Sequence, residues 1–130
     1  MKKDLKYVQP TDAELEILQV LWESGPSTVR FVNECLNKKK KVGYTTTLKI
    51  MQIMADKCIL SRHKKGKTHI YTPLLKENET QSLLVDKLLK VAFKGSAGKL
   101  VMQTLGNKKT SIEELQKIKE LIANLEKDQE

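Results

Sequence analysis

Apolar positions recur every three or four residues through the first sixty positions of the chain, then switch to alternation. Leu15, Leu18 and Trp22 form one stripe, widened by Ile17 and Leu21. Pro10 precedes it, and Thr11 with Glu14 three residues later reads as a capping box. Gly25-Pro26 stops this first helix. Ser27 or Thr28 caps a second, whose apolar face is Val29, Val32 and Leu36 with Phe31 and Cys35. A third helix is predicted over 44–57. At about 100° per residue, Thr47, Ile50, Met51, Met54 and Ala55 share one arc, with Leu48 and Tyr44 at its edge. Thr45, Lys49, Gln52 and Asp56 share the opposite arc, with Thr46 and Ile53 beside them.

Residues 60–64 then read as a strand, 65–67 as a turn, and 68–72 as a returning strand with Ile70 inward and Pro73 at its end. Helix, helix, helix, hairpin is the order of a winged helix-turn-helix. Residues 1–9 are polar and read as an arm or short edge strand. Past the hairpin, three more helices are expected. Residues 78–92 carry Leu84, Leu88 and Val91 on one side with Leu83 and Leu89 nearby. Residues 96–105 form a short helix closed by Gly106. Ser111 and Glu114 cap a last one bearing Leu115, Ile118, Ile122 and Leu125, with Leu121 adjacent. Three helices in about 50 residues are too few to bury these stripes by themselves. Pairing with a second copy, or folding back on the hairpin domain, would cover them. The expected fold is mainly α: a winged helix-turn-helix over 1–75 and a helical dimerisation domain over 76–130.

Charge sharpens this picture. The 130-residue chain carries 24 Lys/Arg and 16 Asp/Glu, a net +8. Nearly all the excess lies before residue 76, as expected of a part that meets a polyanion. Between Lys38 and Lys67 there are ten basic residues and one acid, Asp56. The polar arc of the third helix offers hydroxyls, an amide and a cation, groups that bond base edges and phosphates in a major groove. Thr46 and Lys49 are the main candidates for base contacts, with Thr45 and Gln52 secondary. Thr28 and Arg30 at the start of the second helix, Lys41 before the third, and Arg62, Lys65 and Lys67 on the hairpin are the other DNA-facing candidates. A helix start with spare N–H groups favours phosphate.

Other chemistries find little support. There is no Gly-rich phosphate loop, no H-E-x-x-H, and no Ser, His and acid set in a motif context, so no enzyme is expected. Cys35, Cys58, His63 and His69 match no structural zinc spacing. No metal or cofactor is expected, and both cysteines read as buried thiols. No apolar run approaches membrane-spanning length and no hydrophobic signal core opens the chain, which points to a cytoplasmic protein. The competing reading is a winged helix used for protein interaction, which a salt-dependent DNA shift assay would separate from a DNA binder.

Four stretches carry a family resemblance: T-D-A-E-L-E-I-L-Q-V-L-W at 11–22, S-T-V-R at 27–30, Y-T-T-T-L-K-I-M-Q-I-M at 44–54, and I-Y-T-P at 70–73. The chain resembles the penicillinase-repressor family, the BlaI, MecI and CopY group of bacterial transcriptional regulators. The resemblance implies a homodimer paired through its C-terminal helices and a palindromic operator before beta-lactam resistance or stress genes. It implies release by an upstream signal. In the beta-lactam branch that signal is a membrane sensor-protease pathway cutting the dimerisation region, and the position corresponding to the cut falls at Gln103-Thr104. The copper branch carries a C-terminal cysteine cluster; this chain has no cysteine after Cys58, so direct copper sensing is not expected. Two positions depart from the family pattern: Ile53 stands where an arginine is common, and Cys58 where a glycine usually follows the helix.

Overall fold

A computed structural model describes residues 9–129. The arm or edge strand expected for residues 1–9 thus falls outside the described residues, Gln9 apart. The order is α1 (Asp12–Ser24), α2 (Val29–Asn37), α3 (Tyr44–Asp56), β1 (Leu60–Lys65), β2 (Thr68–Pro73), α4 (Glu77–Ala92), α5 (Ala97–Asn107) and α6 (Ile112–Asp128). Packing divides the chain into two compact units, the first ending at Asp86 and the second starting at Lys87, within α4.

Local chemistry explains where the helices start. Thr11 and Glu14 form the full capping box. The Thr11 hydroxyl accepts from the Glu14 N–H at 3.2 Å, and the Glu14 carboxylate accepts from the Thr11 N–H at 2.9 Å. Thr28 caps α2 by accepting from the Phe31 N–H at 3.1 Å, and Ser111 caps α6 by accepting from the Glu114 N–H at 3.1 Å. Ser27, the other candidate cap, is buried and does something else. Its N–H and C=O pair with those of Tyr71 at 3.1 and 2.9 Å, adding a third short edge to the hairpin.

The core of the first unit lies where α1, α2, α3 and the hairpin meet. Ile17, Leu18 and Leu21 of α1 meet Val29 and Val32 of α2, Met51 and Met54 of α3, and Ile59, Leu60 and Tyr71 around the hairpin. The Trp22 indole N–H donates to the Leu75 C=O at 2.9 Å, tying the chain beyond β2 back to α1. The link from α3 to β1 is equally tight: the Ile59 N–H donates to Met54 C=O at 2.9 Å.

Several expectations change. Phe31 is exposed rather than on the core face of α2; at helical spacing it lies about 100° round from Val32, about 140° from Leu36 and about 160° from Val29. Tyr71, not Ile70, is the inward residue of β2, and Ile70 is only half-buried. A one-residue difference in a strand exchanges its two faces. Cys35 is half-buried and Cys58 exposed, so neither is a fully buried thiol. Cys58 has φ +64°, the left-handed conformation in which a Cβ is strained. Gly106 does not close α5, which continues to Asn107. The wing turn is the two-residue loop Gly66-Lys67 between the paired Lys65 and Thr68. Gly66 takes φ +64° at its first position, as a type II′ hairpin turn requires.

Candidate nucleic-acid interface

The two arcs of α3 separate as the wheel predicts. Thr47, Met51 and Met54 are buried, while Thr45, Thr46, Lys49, Gln52, Ile53 and Asp56 are exposed. The buried side fixes the rotation of the helix, and rotation decides which side chains can reach a groove.

The turn between α2 and α3 is fixed by two asparagines, Asn33 and Asn37. The Asn33 side-chain amide donates one N–H to the Val42 C=O at 3.1 Å and one to the buried Thr47 hydroxyl at 2.9 Å. Asn37 donates to the same Val42 C=O at 2.9 Å and accepts from the Val42 N–H at 3.1 Å. Thr47 in turn lies 3.4 Å from the Gly43 C=O. These bonds hold the start of α3 against α2 although Gly43, its N-cap residue, has no side chain to cap it. Two asparagines four apart beside a lysine run are the sequence signal, but only the fold shows that both meet Val42.

The wing presents its cations on both faces. Cross-strand partners share a face, so Arg62 lies with Tyr71 and Lys64 with His69, whereas Lys65 lies opposite Thr68 on the other face. Arg62, Lys64, Lys65 and Lys67 are all exposed. So are Arg30 on α2 and Lys41 in the α2–α3 turn. Thr28 is half-buried, with its hydroxyl occupied as the cap of α2. One basic residue of the run is committed elsewhere. Lys57 Nζ donates to Glu14 Oε2 at 2.9 Å, joining the end of α3 to α1. Burial alone would push the Glu14 carboxyl up. The hydrogen bonds from Lys57 and Thr11, with the Lys57 charge, outweigh it and hold the carboxyl below the usual range.

In the second unit no residue of α5 or α6 is buried. Leu88, Leu115, Ile122 and Leu125 are exposed; Leu84 and Ile118 are half-buried. Gln103 and Thr104 are exposed inside α5, where Asn107 donates to the Gln103 amide oxygen at 2.6 Å and Thr104 to the Leu100 C=O at 2.8 Å. Among the described residues no three or more His, Cys, Asp or Glu converge as metal ligands would, and no helix is long and apolar enough to cross a membrane.

Three helices with a buried-faced third helix and a basic two-stranded wing define a winged helix-turn-helix. The chain belongs to the penicillinase repressor family, whose model matches residues 10–124. It is 26% identical over 117 residues to the penicillinase repressor of Bacillus licheniformis, spanning 90% of this chain and 91% of that protein. It is 31% identical over 87 residues to the transcriptional regulator BlaI of Mycobacterium tuberculosis, spanning 65% of this chain and 63% of that one. The solution structure of the DNA-binding domain of the repressor BlaI superposes with a TM-score of 0.51 at 29% identity, covering 61% of this chain and 93% of that domain. This is a family of transcriptional repressors, not of enzymes.

Proposed function

We propose that the chain represses transcription as a homodimer, each copy laying α3 in the major groove of one half of a palindromic operator. Residues 1–75 bind DNA and residues 76–130 pair the two copies. The observation that carries this reading is the exposed Thr45, Thr46, Lys49 and Gln52 arc of α3, between the lysines before it and the cationic wing after it. Hydroxyl, amide and ammonium groups there suit base edges, while Arg30, Lys41, Arg62, Lys65 and Lys67 suit the phosphates on either side. The apolar stripes of α4 and α6, with Leu88, Leu115, Ile122 and Leu125 exposed and Leu84 and Ile118 half-buried, are the surface for the second copy.

Release follows a cut at Gln103-Thr104 in this proposal, made through a membrane sensor-protease pathway in response to a beta-lactam. Both side chains are exposed, but the bond lies in helix, so a protease must first unwind that turn of α5. The cut parts α6 from α4, and DNA affinity falls through loss of the second half-site rather than through any change at α3. Immunoblotting the host before and after beta-lactam exposure checks this step. An intact 14.8 kDa band alongside full induction would rule it out.

The whole reading is tested by titrating the chain against a randomised duplex library across a range of salt. Enrichment of a dyad sequence, with affinity falling as salt rises, is the expected result. A winged helix devoted to protein contacts would enrich nothing.

A further inference from the structure

Ile53 is the one large apolar side chain on the otherwise polar arc of α3. It is 41% exposed, with Thr46 and Lys49 on the turns before it and Gln52 beside it. A singly exposed isoleucine means little by itself; the place of this one gives it meaning. At helical spacing Thr46, Lys49 and Ile53 follow one another up one side of the exposed arc. The core of α3 is already filled by Thr47, Met51 and Met54, so Ile53 is not needed to seal it. Every other exposed group on that arc hydrogen-bonds or carries charge. A polar groove floor offers such an apolar group one complementary partner, the C5-methyl of thymine, which projects only into the major groove.

We infer that Ile53 is a specificity-determining residue that selects thymine by packing on its methyl group. The inference rests on the proposed docking of α3 in the major groove. Thr46 and Ile53 are seven residues apart, about 10 Å along the helix axis. At about 3.4 Å per base step that is about three base pairs, so the thymine stands about three pairs from the position Thr46 meets. Ile53 adds no hydrogen bond and no charge. It therefore changes which sequence is preferred and leaves the dependence on salt alone.

The test selects binding sites from a randomised duplex library with the wild-type chain, Ile53→Ala and Ile53→Leu. Each thymine of the wild-type consensus is then replaced singly by deoxyuridine, which lacks only the methyl group. One thymine per half-site should show a loss of about fourfold with the wild-type chain, the scale of one buried methyl. Ile53→Ala should be indifferent to that replacement and should lose the thymine preference in selection. Ile53→Leu should retain most of both, and all three chains should share one salt slope. If Ile53→Ala selects the same consensus with the same deoxyuridine sensitivity, the inference is overturned while the repressor reading stands. If no chain enriches any duplex, the repressor reading fails and the inference with it.

Discussion

Two residues show how single side chains shape this fold. Glu14 releases its proton more readily in the folded chain than in the unfolded one, because Lys57 and the Thr11 N–H bond its carboxylate. The stability it adds is complete above the ordinary glutamate value and is lost as pH falls through the lower folded value. Glu14→Gln can keep both capping bonds but loses the ion pair. Urea unfolding followed from pH 7 to pH 3 should show a shallower acid-side loss in that variant than in wild type; equal slopes would show that the ion pair adds no stability. The effect is modest, since Lys57 is 39% exposed and water screens it. Cys58 points the other way. Its φ of +64° strains a Cβ, and its side chain is exposed, so Cys58→Gly should stabilise the chain by about 1 kcal/mol with DNA affinity unchanged. Thermal unfolding measures this directly, and a lower midpoint would contradict it. A cysteine where the family places glycine was visible in the sequence. The exposure of its thiol was not, because that depends on how the chain turns from α3 into β1.

The helices were legible because their signals are local. Thr11, Thr28 and Ser111 cap the helices they precede, and the 3.6-residue rhythm of α3 sorts its buried and exposed arcs. The hairpin was legible as an element, but not in which face it turns inward. Ile70 and Tyr71 are adjacent and both suit a core; the backbone pairing of Tyr71 with Ser27 is a contact 44 positions apart that no local pattern reveals. The asparagine clamp escaped for the same reason, since Asn33 reaches Thr47 and Val42 across the turn. Asn33→Ala removes two hydrogen bonds at that turn and should cost about 1–2 kcal/mol of stability. It should also weaken DNA binding for every sequence alike, because it loosens the seating of α3 rather than a base contact. Unchanged stability and affinity would show that the clamp positions nothing. The wing makes a separable prediction. Lys65→Ala and Lys67→Ala should each lower the salt slope of binding by about one unit, without altering sequence preference. Thr46→Ala should instead cost roughly 1–3 kcal/mol on the preferred duplex and little on scrambled DNA.

At the scale of the whole molecule, the contrast lies between a filled core and bare stripes. The first unit buries Tyr71, Leu18, Met51 and their neighbours almost completely, while no residue of α5 or α6 is more than half-buried. A 17-residue helix with Leu115, Ile118, Ile122 and Leu125 along it is amphipathic, and its apolar side favours a partner surface over water. Ile118→Glu combined with Ile122→Glu should yield a monomer in sedimentation, with a sharp loss of affinity for a two-half-site duplex. The loss should be much smaller on a single half-site. In the proposed assembly, two copies read two symmetric half-sites through α3. A hydroxyl-radical footprint on the duplex that the chain selects tests it most directly. Two protected tracts related by a dyad, their centres about 10 or 20 base pairs apart, are the predicted result; one tract without symmetry, or uniform protection along the duplex, would contradict it.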